Sequence, residues 1–361
     1  MTINKSVPLW TIAAPVAAWL LLAASGMGAG PHLGGLFTAL LALALFAGVL
    51  AAVHHAEVVA HRVGEPFGTL VLAVAVTAIE VALIVSLMIS GGEAAAGLAR
   101  DTVYAAVMII LNGMVGICLL AGGQRHHEQS FGRHGTSAAL ATLVAISVLT
   151  MVLPNYTTTT PGPAYSASQL GFIAVVSIVL YGAFVFMQTV RHRSYFLPAG
   201  GEEEHAAPPS KAMAWTSLGL LMLCLASVVL LAKSLAPALE QGVRAMGAPQ
   251  ALVGVIIAAV VLLPESIAAF QAARANRLQT SLNLALGSAL ASIGLTIPAV
   301  AIVAVAGGQP LLLGIDGKST VLLMLSIIVA TLSLGTGRTT MMQGAIHLVI
   351  FAVYLFLTVV P

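Results

Sequence analysis

Apolar residues in this chain come in blocks of about twenty, parted by short polar breaks and without the period-2 alternation of barrel strands. A helix rises 1.5 Å per residue, so about twenty residues cross a hydrocarbon core of about 30 Å, and each block reads as a membrane helix. The breaks place eleven spans at 10–28, 33–53, 67–90, 102–121, 137–153, 169–190, 213–235, 250–274, 282–306, 319–334 and 341–360. The predicted fold is an all-α polytopic membrane protein. The first block follows Lys5 and ends in small residues, as a signal peptide does, but its length and Trp10 and Trp19 favour a retained interfacial helix.

Composition sharpens this picture. With 59% hydrophobic and 7% charged residues, a water-soluble fold is excluded. The net charge is +2 and the basic residues are scattered, so no nucleic-acid partner is expected, only small solutes and the lipid bilayer. Cys118 and Cys224 fall inside spans without metal or redox spacing and read as small core residues. With the amino terminus inside, ten of the fourteen Lys and Arg residues face the cytoplasm, and only Arg100, Lys233, Arg244 and Lys318 fall outside. That predicts a cytoplasmic amino terminus and a periplasmic carboxyl terminus in a bacterial inner membrane.

The longest polar stretch, 191–212, carries Glu202, Glu203, Glu204 and the pair Pro208 and Pro209, and reads as an acidic cytoplasmic linker. It leaves one extra helix in 1–30, a five-helix set in 31–190 and another in 213–361. Because five is odd, the second set starts from the opposite side of the membrane, the arrangement of inverted repeats in secondary transporters.

Two of the twelve acidic residues, Glu80 and Glu265, stand near the midplane, on the second helix of each set. A lone charge there costs on the order of 3 kcal/mol, and intramembrane acids mark ion and proton paths. An inverted two-fold would bring both to the interface of the halves. Pro66 and Gly68 enter the third span, Gly254 enters the eighth, and Pro264 precedes Glu265, so a broken helix can offer main-chain oxygens. Thr77, Ser266, Asn283, Ser288 and Ser292 add side-chain oxygens near the carboxylates, and Asn112 adds another on the next helix of the first set. The glycines among them also serve plain helix packing.

Two carboxylates with carbonyl and hydroxyl oxygens make a hard-oxygen site, suited to calcium and poor for zinc or copper. Protons and a divalent cation compete for such a site, which is what antiport requires. The expected function is cation/proton exchange by alternating access, calcium as first choice and sodium or potassium as alternatives, with no cofactor beyond the transported ions. A membrane enzyme would need a nucleophile and base, or a catalytic metal set, at membrane depth, and none is placed there. A channel with an acidic filter is the rival of another class; it would pass calcium without obligatory proton movement.

The runs Gly64 to Thr69, Ala75 to Val81, Leu263 to Ser266, Asn283 to Pro298 and Thr336 to Thr340 resemble the ChaA-type bacterial cation/proton antiporters, a branch of the calcium/cation antiporter superfamily. The resemblance covers nearly the whole chain from about residue 54 and implies eleven helices, an acidic segment joining two inverted repeats, and one essential glutamate per repeat, at Glu80 and Glu265. The wider calcium-exchanger branch has a Gly-Asn pair before the first key glutamate and Gly-Asn-Ala-Ala-Glu around the second. Here those positions read Ala78-Ile79 and Leu263-Pro264, which leaves ion identity open.

His54, Glu57 and His61 share one helical face at the cytoplasmic edge, but they do not form a His-Glu-x-x-His protease motif. They and Glu202 to Glu204 are candidates for a regulatory site, against the plainer reading of solvated surface. His347 is the only histidine inside a predicted span and reads as a satisfied packing residue.

Overall fold

A computed structural model describes residues 8–26, 29–64, 67–91, 95–197 and 208–360. Among them eleven helices are long and apolar enough to cross a membrane. They are α1 (Leu9–Gly26), α2 (Gly34–Val63), α3 (Phe67–Gly91), α4 (Leu98–His126), α5 (Arg133–Tyr156), α6 (Ala167–Arg191), α7 (Lys211–Ala245), α8 (Ala251–Arg274), α9 (Leu278–Gly307), α10 (Gly317–Leu334) and α11 (Met341–Val359). Two three-residue strands, β1 (Glu128–Ser130) and β2 (Arg338–Thr340), pair antiparallel, so among the described residues the fold is all-α apart from this short ribbon.

Local chemistry explains where several helices start. Ser166 and Gln169 form a capping box at α6, and the Ser210 hydroxyl accepts the Met213 amide at α7. At α10 the Asp316 carboxylate accepts the Ser319 amide at 2.8 Å. Partial burial raises the Asp316 pKa, but hydrogen bonds from Ser319 and the charges of Lys318 and Arg100 outweigh it and hold the carboxyl below its ordinary value. A depressed folded-state pKa means this stabilisation is complete above the unfolded aspartate value and is lost as pH falls through the folded one. Asp316→Ala is therefore expected to lower stability by about 1 kcal/mol at neutral pH, with Asp316→Asn recovering most of it, as read by thermal unfolding in detergent.

Three helices run five residues or more beyond their predicted ends. α2 continues to Val63 rather than stopping near 53, because Ala56 and Ala60 favour helix and an α-helix need not stop at the bilayer edge. His54, His55, Glu57 and His61 are therefore helical, and His347 is not the only histidine on a long apolar helix. α7 passes through Pro237 to Ala245; the proline frees the Lys233 carbonyl, and exposed Lys233 and Ser234 mark a stretch where solvent can satisfy it. Lys233 therefore lies within α7 rather than at its end. α4 spans 98–126 rather than 102–121 and contains a π turn at Ile109–Met114.

The chain divides into two compact units. In the first, formed by α1, α2, α3 and α7, Ala18, Phe37, Leu41, Ala44 and Leu231 make a core. The His55 Nε2 donates to the Thr11 carbonyl at 3.2 Å, and an Arg62 guanidinium N–H donates to the Pro209 carbonyl at 3.2 Å.

The second unit comprises α4 to α6 and α8 to α11, with α9 buried over most of its length. At one end, the loops after α3, α5 and α9 and the neighbouring helix ends are tied together: the Leu312 amide donates to Ala96, the Gly314 amide to Pro163 at 2.9 Å, the Arg100 side chain of α4 to the Gly314 carbonyl, and the Asn155 side-chain amide of α5 to the Ile315 carbonyl at 2.6 Å. At the other end, loops after α4, α6, α8 and α10 meet through the β1–β2 ribbon, Gln129 on the Ala273 carbonyl at 2.9 Å, and Asn283 on the Phe196 carbonyl at 2.6 Å. Odd-numbered loops at one end and even-numbered loops at the other are what alternating crossings demand.

Candidate functional site

Glu80 and Glu265 both lie about 20 Å along their helices from the start of α3 and α8. Each belongs to a different compact unit.

On α3, Glu80 is 3% exposed, and no other carboxylate among the described residues is as buried. Thr77, one turn earlier on the same side of the helix, is also buried. Ile79, Leu83 and Ile84 are buried around them, so the polar pair sits within an apolar stretch. Pro66, assigned to the start of this helix, lies outside the described residues.

On α8, Glu265 is half-buried and receives a short hydrogen bond from the Ser288 hydroxyl of α9 to its Oε2. The structure thus brings these two predicted residues together across a helix pair. Pro264 stands inside α8 and leaves the Val260 carbonyl without its i+4 amide donor. The Ser266 hydroxyl is engaged on its own helix, donating to Leu262 at 2.8 Å. Ser292, one turn beyond Ser288, is buried.

The remaining lining candidates are placed differently. Asn283 sits near the start of α9, accepting from Gln279 at 2.8 Å and donating to Phe196, so its amide fastens the end of the helix. Asn112 lies inside the π turn of α4, fully buried, and its Nδ2 donates to the Ser326 hydroxyl of α10 at 2.8 Å. Its Oδ1 is buried without a hydrogen-bond partner among the described residues, an acceptor left over in the apolar interior. Ser326 was missed from sequence; a lone serine in an apolar span commonly bonds its own i−4 carbonyl, as it does here to Leu322.

The histidine face of α2 is used in packing. The His54 ring lies 5.8 Å from that of Trp10 and 5.6 Å from that of His55, while Glu57 is exposed. Among the described residues no group of three His, Cys, Asp or Glu side chains could hold a metal, so a metal reading of His54, Glu57 and His61 finds no support. The sequence pattern missed His55, the residue that bonds α1. Glu202, Glu203 and Glu204 lie outside the described residues.

A provisionally named ionic transporter, y4hA, of Sinorhizobium fredii is 49% identical to this chain over 99% of it and 98% of the relative. The sodium-potassium/proton antiporter ChaA of Escherichia coli is 34% identical over 87% of this chain and 86% of its own. The solved structure of the Ca2+/H+ antiporter protein YfkE superposes with a TM-score of 0.72 at 17% identity, covering 98% of this chain and all of that one, and so shares the fold. The sodium/calcium exchanger protein family matches residues 32–190 and 216–360, and with that coverage the chain belongs to this family, within the calcium/cation antiporter superfamily.

Proposed function

We propose that this exchanger moves a cation, calcium first, against protons by alternating access at a site shared by Glu80 and Glu265. The observation that carries the reading is the Glu265–Ser288 pair at mid-helix depth, a carboxylate with a hydroxyl partner where an isolated acid would be costly. A buried carboxylate pair is stable when neutralised, by protons or by one divalent ion. Two protons entering as one calcium leaves keeps the site neutral through the cycle, and this coupling sets exchange apart from a channel.

Thr77, Ser288 and Ser292 are the first candidates for further oxygen ligands, and the Val260 carbonyl freed by Pro264 and the Oδ1 of Asn112 are further ones. Ser266 donates to its own helix and the Asn283 amide to the Phe196 carbonyl, so both are weaker candidates. Escherichia coli ChaA is named for sodium and potassium and YfkE for calcium, and both names carry proton exchange. Cation order is therefore the finer part of the proposal, as are the repeat limits at 31–190 and 213–361, the 191–212 linker and the cytoplasmic amino terminus.

The test is proton movement in everted vesicles with an acid interior, with calcium, sodium and potassium added in turn. Calcium is expected to collapse the gradient at the lowest concentration; collapse by sodium or potassium alone reassigns the substrate, and conduction of calcium without proton movement returns the channel reading. Ser288→Ala removes a hydrogen bond to a charged group, worth about 1.5–3 kcal/mol, and is expected to raise the cation KM about tenfold while protein yield stays normal.

A further inference from the structure

His347 on α11 is a buried polar group that the exchange reading does not use. It lies six residues from the start of α11 and is wholly buried, and neither ring nitrogen completes a hydrogen bond among the described residues. Leaving a buried donor without an acceptor costs about 1–3 kcal/mol, so the position asks for a reason.

The helix opposite supplies one. A Cβ at Gly116 of α4 would lie 3.1 Å from the His347 Cβ and 3.0 Å from the Leu348 Cγ, so glycine there lets α11 approach α4 closely at His347. Just before Gly116, α4 leaves the α register for the π turn Ile109–Met114, and the α register resumes at Val115. A π turn holds one extra residue, so one carbonyl is passed over where it closes. The Val115 amide bonds the carbonyls of Ile110 and Asn112 and passes over Leu111, its ordinary i−4 acceptor. Helix carbonyls point toward the carboxyl end, so the Leu111 carbonyl is directed at the Val115–Gly116 stretch that His347 packs against. The adjacent residue, Asn112, has its amide nitrogen held by Ser326 and its Oδ1 buried and unpartnered.

We propose that His347 donates to the Leu111 carbonyl that the π turn releases, and so acts as a positioning residue that fixes the direction of Asn112. The inference rests on the reading that Asn112 lines the cation path. Without the donor, Leu111 recovers its partner by returning to the Val115 amide. That restores the α register and turns Asn112 by about 100° relative to the helix beyond it. Buried donor and skipped carbonyl satisfy each other, and the side chain that benefits is the neighbouring Asn112.

The test is cation-dependent proton flux by the whole protein in proteoliposomes, reading KM and kcat for calcium and for sodium. His347→Leu, which keeps volume and loses the donor, is expected to raise the calcium KM at least fivefold and to narrow the calcium-to-sodium preference, with kcat changed less than twofold. His347→Asn and His347→Gln each place a donor near one of the two ring nitrogens, and one of them is expected to restore KM to within twofold of wild type. If His347→Leu does not fold, His347→Phe takes its place. Wild-type KM and preference in the donor-free variant, or equal damage in all three variants, overturns the positioning role. Asn112→Ala separates the two layers: if it alters KM while His347→Leu does not, the inference alone fails. If Asn112→Ala alters nothing, the assignment of Asn112 fails and the inference falls with it.

Discussion

Glu80→Gln and Glu265→Gln are each expected to lower cation-driven proton movement at least a hundredfold, with folded protein recovered in normal yield. Glutamine keeps the shape of the side chain and loses the charge, the proton and one strong oxygen ligand together. A hundredfold loss corresponds to about 2.7 kcal/mol, within the about 2–5 kcal/mol that truncating one partner of a buried, hydrogen-bonded charge pair costs. Folding should not suffer, because the substitution removes a group that costs on the order of 3 kcal/mol at membrane depth. The two variants should therefore separate function from stability: initial rates in everted vesicles are expected to fall to background, while thermal unfolding in detergent is expected to be unchanged or raised. Full activity in either variant would remove that glutamate from the mechanism. The aspartate variants, which keep charge but shorten reach, should retain partial exchange.

The second large effect is on assembly. Gly344→Val should abolish recovery of folded protein. A Cβ at Gly344 would fall against the Leu120 amide nitrogen and 2.7 Å from the Gly116 carbonyl oxygen, main-chain atoms that cannot swing aside. The same helix pair meets again where a Cβ at Gly123 would lie 2.8 Å from the Met341 Cα, and where one at Gly113 would lie 3.2 Å from the Phe351 ring. Small residues let membrane helices approach backbone to backbone, and packing is the main attraction available between them in lipid. Forcing α4 and α11 apart would disturb the π turn and everything it positions. Size-exclusion profiles of Gly344→Ala and Gly344→Val against wild type check this, with an increasing loss of the monodisperse peak. A normal profile for Gly344→Val would mean that the two helices need not touch at this point.

The helices and the two deep glutamates were legible because each rests on a one-dimensional signal. Twenty apolar residues specify a span wherever they occur, and a single acid inside such a block stands out against its neighbours. Ser288 was legible as one of several hydroxyls near Glu265, beside Ser266 and Ser292, but nothing in the sequence singled it out as the one that bonds the carboxylate. Features that depend on a distant segment were not. The sequence places Asn112 on a helix but says nothing of the π turn around it or of Ser326, more than two hundred residues away. Asn283 looked like a site residue because it is polar near the site helix, whereas its amide is spent on the Phe196 carbonyl. The ends of α2 and α7 were set too early because polar residues were read as leaving the membrane, and a helix can leave the membrane without ending. The β1–β2 ribbon went unseen because three residues per strand carry no period to recognise.

The central claim is that one site holds either protons or the cation, and proton release on cation binding tests it most directly. Detergent-solubilised protein in weakly buffered solution, with no membrane and therefore no flux, would be titrated with calcium while the pH is followed. The account predicts acidification that saturates with occupancy, is reversed by a chelator, and disappears in both Glu80→Gln and Glu265→Gln. Calcium binding with no release of protons, or release that persists undiminished in those variants, would contradict it.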